Sequence, residues 1–229
     1  MQPVQPNTQQ SFMDRFLGVL KLDPFTWQGI KIDPGALNQA WLIVIGTGLI
    51  SGLSAARQLA VTATQIQTLI DQTAQTDPEV ASQLDTIDFS GLDSGGGRIS
   101  LIIFSIIGSI IGWLLFAALA KWAARQFFGA DPNAATQDEM RRLTGWAYAP
   151  GLLNVLAPIP VIGGIISIVA GIWVLVNQVQ SVKTGMNLTT GKSIGASIVA
   201  LILPGIIIAL LVCACLAIVA ATGGVTSTP

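Results

Sequence analysis

Histidine is absent from this chain, and with it go the commonest general base, the commonest zinc ligand and the usual charge switch near neutral pH. Charge is scarce too: Asp, Glu, Lys and Arg make up 10% of 229 residues, well under the roughly 25% of soluble domains. A net charge of −1 offers nucleic acid no foothold, so none is expected as a partner. The two cysteines, Cys213 and Cys215, lie two apart in an apolar run, where a helix turns them to nearly opposite sides. They read as small packing or lipid-facing residues. No catalytic residue, cofactor site or metal site is expected. Residues 1–36 are polar or mixed and lack the apolar core of a secretory leader, so the first apolar span is expected to remain in the mature protein.

Apolar side chains are abundant, at 52% of the chain, and they come in runs. A hydrocarbon core about 30 Å thick takes about 20 helical residues to cross. Five segments read as spans: 37–56, 99–120, 143–157, 161–182 and 194–221. The third is short, carries Pro150 and ends at Pro158-Ile159-Pro160, where proline cannot continue a regular helix. Residues 143–182 therefore read as two spans folded into a proline-turn hairpin. The expected fold is all-α, a polytopic transmembrane bundle of about five helices embedded in the lipid bilayer.

The cations give the bundle a direction. Arg15, Lys21 and Lys31 precede the first span; Lys121, Arg125, Arg141 and Arg142 stand in the loop 121–142; Lys183 and Lys192 stand in the turn 183–193. Opposite them are Arg57 and Arg98, both in the loop 57–98. By the positive-inside rule the N-terminus is cytoplasmic and the tail 222–229 is outside. The outer loop holds Asp71, Asp77, Glu79, Asp85, Asp88 and Asp93, without the ligand spacing of a calcium loop, and reads as a solvated face. Residues 58–73 look helical and prolong the first span, while Asp77-Pro78 and the glycines at 95–97 punctuate the loop.

Residues 12–21 are amphipathic. Ser11 and Asp14 resemble a capping box. Phe12, Met13, Phe16, Leu17, Val19 and Leu20 fill an arc of about 160°, and Asp14, Arg15, Gly18 and Lys21 fill the remainder. An in-plane interfacial helix is expected, with a helix tucked into the core as the alternative.

Within the spans the central positions carry no charge, which argues against an ion or proton relay. The polar residues at depth are neutral: Tyr148, Asn154, Asn177, Gln178 and Gln180. They suit interhelical bonds, or a substrate path at the Pro150 break. Thr190-Gly191-Lys192-Ser193 resembles the tail of a phosphate loop, but Met186 stands where the first glycine is required. It reads as a turn in which Gly191 breaks the chain and Ser193 caps the last span.

Small residues recur at four-residue spacing: Gly48 and Gly52, Gly108 and Gly112, then Gly163, Ser167 and Gly171, and finally Ala209, Cys213, Ala217 and Ala221. In lipid such faces let backbones approach closely, so they predict helix packing within the chain, or contact with a protein partner or a second copy. Arg15, Lys21, Arg125, Arg141, Arg142, Lys183 and Lys192 form the cytoplasmic rim expected to meet a partner or lipid headgroups.

One string of features resembles a known family. Gly145-Trp146-Ala147-Tyr148-Ala149-Pro150 is followed by Pro158-Ile159-Pro160, then Ile162-Gly163-Gly164, Ile172-Trp173 and Thr190-Gly191-Lys192. Together with Asp23-Pro24-Phe25-Thr26-Trp27 and the span count, this order is similar to the Yip family, membrane proteins named for interaction with Ypt/Rab GTPases. The resemblance implies a non-enzymatic protein of membrane organisation, which in eukaryotes serves vesicle traffic. The 36 residues before the first span are shorter than the arm of the eukaryotic members. The chain looks like a bacterial member, implying the cytoplasmic membrane, with a scaffold or accessory-subunit role ahead of a small transporter or channel.

Overall fold

The fold is taken from a computed structural model that describes residues 10–76, 95–159 and 162–223, with backbone alone at 60, 63, 67 and 207–223. Pro160, the acidic stretch 77–94 and the side chains of Ala209, Cys213, Ala217 and Ala221 lie outside the described residues. All regular structure among the described residues is helical. Three helices are long and apolar enough to cross a membrane: α3 (Ala36–Thr76), α4 (Gly95–Phe128) and α6 (Ile162–Met186). The last helix, α7 (Thr190–Gly223), is apolar over Thr190–Ile206. With 41 residues, α3 is about 60 Å long, twice a hydrocarbon core. Its second half therefore reaches well past the apolar segment. The glycines at 95–97 do not interrupt the chain but open α4; first-turn amides lack helical partners anyway, so glycine is tolerated there.

Two short helices precede α3, namely α1 (Phe12–Leu20) and α2 (Pro24–Ile32), and a third, α5 (Gln137–Trp146), follows α4. Each starts from a side-chain cap. Ser11 accepts from the Asp14 N–H at 3.2 Å. Asp23 accepts from the Thr26 N–H at 3.0 Å, with Pro24 in the first turn, where a missing N–H does no harm. Thr136 and Glu139 close a reciprocal capping box on α5. Leu22, at φ 57°, ends α1 in a left-handed cap, with the Asp23 N–H donating to the Gly18 carbonyl at 2.9 Å.

The segment 143–157 is not one regular span. It is α-helical to Trp146, turns, and continues as a 3-10 helix, Ala149–Leu156, with Pro150 in its first turn. The residues 137–142, expected as loop, are the start of α5. Gly191 and Ser193 also depart from expectation. Helix α7 already begins at Thr190, so Gly191 lies in its first turn, and the buried Ser193 hydroxyl donates back to the Thr189 carbonyl at 3.0 Å.

Two apolar clusters form the interior. One joins Val19, Trp27, Ile30, Ala40, Ile43, Trp113, Leu143 and Trp146; the other joins Phe116, Ala120, Ala124, Met140, Val182, Met186 and Ala196. Elsewhere apolar side chains point outward, among them Leu42 and Leu49 on α3, Ile107 and Ile111 on α4, and Ile168 and Ile172 on α6. Outward apolar faces on long helices are what a lipid solvent requires.

The amphipathic arc of α1 is divided. Val19 is fully buried and Phe16 packs against the first cluster, whereas Met13 and Leu17 are exposed. Phe12 is partly exposed and lies 5.3 Å from the Trp146 ring. The helix is thus tucked in on one side and apolar outward on the other.

Candidate functional site

Arg15 and Asp33 form an ion pair that ties α1 to the turn after α2, and Arg15 also donates to the Gln39 amide oxygen on α3 at 2.8 Å. The Arg15 side chain is only 2% exposed. It therefore does not belong to the rim assigned from its place on the polar arc: Arg15 meets Asp33 and Gln39 rather than water. Burial pushes the Asp33 carboxyl upward, but the Arg15 hydrogen bond, the Gly35 N–H and the fields of Arg15 and Arg142 prevail and hold it below its ordinary value. Arg142 is likewise buried, at 8% exposure, and its charge adds to the field on this carboxylate.

Lys31 is the residue that sequence reasoning used only as a topology marker. Its ammonium donates to the carbonyls of Ala134 (2.9 Å), Thr184 (3.2 Å) and Gly185 (3.0 Å). A cation is favoured at the carbonyl end of α6 by the helix dipole, and one side chain thereby joins α2, the α4–α5 loop and α6. Burial pulls its pKa below the ordinary lysine value, with Glu139 opposing. Lys31→Met should cost about 2 kcal/mol, since hydrogen bonds to charged groups contribute about 1.5–3 kcal/mol each and water recovers part of the loss. In detergent the apparent Tm should fall by about 4–8 °C. Glutamine at the same position should fall less.

Indole N–H groups make further links. Trp113 donates to the Arg141 carbonyl at 3.0 Å and to the Thr144 hydroxyl at 3.1 Å, Trp146 to the Ala36 carbonyl at 3.1 Å, and Trp173 to the Leu20 carbonyl at 2.9 Å. Trp41 meets Trp113 edge-on at 4.8 Å. Gly145 permits this closeness, because a Cβ there would lie 2.6 Å from Ala40 Cβ and 3.1 Å from the Trp113 ring.

Lys31 thus brings the N-terminal segment, the loop after α4 and the end of α6 to one end of the bundle. Arg57 lines one cavity with Pro158 and Gly163 and another with Arg98, so these residues share a different region. At the first end, Lys21, Arg125 and Lys192 are exposed and Lys183 half-buried, while Arg141 is held by Asp138 at 2.9 Å.

The small residues are treated unequally. A Cβ at Gly48 would lie 2.9 Å from Ile106 Cα, and one at Gly52 would lie 2.7 Å from Ile102 Cα, so these two sit directly against α4. A Cβ at Gly163 would overlap the Ala157 carbonyl. Gly108, Gly112 and Gly171 have nothing within 4 Å, and Ser167 is half-buried. Equal spacing therefore does not mean equal packing.

The intramembrane polar set gathers around the broken element. Tyr148 lies beside Gln178 of α6. Asn177 donates to the Trp173 carbonyl at 3.0 Å, but the side-chain oxygens of Asn154, Asn177 and Gln178 are buried without a hydrogen-bond partner among the described residues.

A scan against family models matches the Yip1 domain over residues 17–223. The chain belongs to the Yip family. Comparison with curated proteins and with solved structures returns no match. The matched region of this Yip protein takes in all three long apolar helices and the junction from Gly145 to Pro150. The residues that carried the family likeness have plain structural positions: Gly145 and Trp146 seal the end of α5 against α3, and Pro150 opens the 3-10 helix. Asp23 and Pro24 start α2. That helix could have been found from this cap pair, and α5 from Thr136 and Glu139.

Proposed function

We propose that this Yip-family protein is a non-enzymatic membrane scaffold or accessory subunit, with its N-terminus and basic rim in the cytoplasm of a bacterium and its tail outside. One observation carries the reading. Lys31, Arg15 and the indoles of Trp113 and Trp146 bind the chain's own carbonyls and carboxylates, so the cations left facing outward at that end are those of the rim. Such a rim recognises a partner or anionic headgroups through long-range charge. A photo-reactive residue placed at Lys183 or Lys192 in cells should give one discrete protein adduct, absent when the residue is placed at Leu42 on the lipid-facing side of α3. A smear at all three positions would count against a docked partner.

Orientation is tested separately, in a background of Cys213→Ser and Cys215→Ser. Ser94→Cys should react with an impermeant outside reagent, and Gln137→Cys should be protected. The reverse pattern would invert the topology.

A small transporter or channel is the second reading, supported by the buried unpartnered oxygens of Asn154, Asn177 and Gln178 beside the Pro150 break. Solute flux into vesicles holding the purified protein, lost on Asn177→Leu, would favour it over the scaffold.

A further inference from the structure

We propose that the cleft at the C-terminal end of α4 binds the phosphate headgroup of an anionic phospholipid, an inference that rests on the rim-recognition reading and gives it a ligand. Lys121 and Arg125 are four residues apart and so share one helix face. Like charges at that spacing repel, yet neither makes an ion pair or hydrogen bond among the described residues. Both line a cavity of about 470 Å³ together with Gln126 and Gln137, whose amides can donate, and with Trp122 and Pro132. An anion placed between the two cations removes their repulsion and is held by up to four donor side chains.

Two features select a lipid over a soluble anion. Trp122 is 46% exposed and meets Phe127 edge-on at 5.3 Å, the aromatic placement typical of headgroup level. From the cleft an outward apolar track runs back along α4 through Leu115, Ile111 and Ile107. Beside it Gly108 and Gly112 leave bare backbone with nothing within 4 Å. The track from Ile107 to Lys121 is about 21 Å long, enough to lie along an acyl chain through a leaflet about 15 Å deep. The same glycines would otherwise suit a second copy of the chain, but a second copy brings no phosphate to the cations.

The test uses the full chain in detergent, with lipid retention read by native mass spectrometry. Phosphatidylglycerol should be retained in preference to phosphatidylcholine. Replacing both cations, Lys121→Gln with Arg125→Gln, should weaken retention of phosphatidylglycerol about thirtyfold, from the usual contribution of two cations near an anionic surface. Lys183→Gln with Lys192→Gln should keep the parent's preference. Gln137→Ala, a milder change, should shift retention in the same direction and serves if the double variant fails to fold. Equal retention of the two lipids by the parent, or undiminished phosphatidylglycerol on Gln137→Ala and the double variant, overturns the proposal. So does inorganic phosphate that displaces the lipid, which would make this a soluble-anion site, or a dimer abolished by Gly108→Leu. Loss of lipid preference with intact protein adducts at Lys183 and Lys192 sinks this inference alone; loss of the adducts with preference intact sinks the partner reading alone.

Discussion

Asp33→Asn should be among the most damaging single substitutions, costing about 3 kcal/mol, at the lower end of the range for removing one partner of a buried ion pair, since Arg15 keeps its bond to Gln39. The reason is an asymmetry in exposure. Arg15 is 2% exposed and Asp33 21%, so removing the acid leaves a cation where water cannot reach it, whereas removing the cation leaves an acid that can still be hydrated. Arg15→Met should therefore cost less than Asp33→Asn, and the pair of changes together should recover most of the loss. The apparent Tm of Asp33→Asn should fall by about 6–12 °C. Acid should act on the same link. The folded-state pKa of Asp33 lies below its ordinary value, so the unfolded chain takes up the proton first. Its contribution is present above about pH 4 and is lost as pH falls through the folded pKa. The parent should thus lose more Tm below pH 4 than Asp33→Asn does. If Arg15→Met proves the worse of the two, or the acid profiles coincide, the pair does not anchor α1 as described.

The apolar runs of α3, α4 and α6 were legible because a lipid solvent demands length and lack of charge, and both are local properties of the sequence. What escaped was decided by neighbours. The helical wheel placed Arg15 on the polar side of α1 correctly, but a wheel cannot tell water from a carboxylate brought back by Asp33. Helices α2 and α5 are nine and ten residues long, too short to be stable alone; their caps were readable, while their existence depends on Trp27, Leu143 and Trp146 reaching the first cluster. The segment 143–157 is apolar enough to suggest a span, yet Gly145 and Gly151 hold it close to Ala40 and Thr47 of α3, so packing outweighs helical regularity. The lipid cleft follows the same logic in reverse, since Lys121 was counted for topology alone and Arg125 also for the rim before the cavity gave them a common neighbour.

Glycines at one spacing give the sharpest test of that distinction. Gly163→Leu should cost at least about 3 kcal/mol, the top of the usual overpacking range, and Gly171→Leu should cost almost nothing. At Gly163 the obstacle is backbone: the Ala157 carbonyl occupies the place of a Cβ. The Gly163 N–H also donates to the Ile159 carbonyl at 2.8 Å. A flexible side chain could move aside, but these atoms belong to the turn that joins the 3-10 helix to α6, so the turn itself must open. Gly171 faces outward with nothing within 4 Å, and leucine there adds apolar surface that lipid accepts. Ser167→Ala, at the half-buried position between them, should change stability by less than the roughly 0.6 kcal/mol of a membrane side-chain hydrogen bond, since its hydroxyl makes none among the described residues. Melting in detergent separates the cases, with an expected drop of about 6 °C or more for Gly163→Leu. If Gly171→Leu melts as low as Gly163→Leu, that face packs on a partner rather than lipid. If Gly163→Leu melts like the parent, the hairpin is not closed through Ala157.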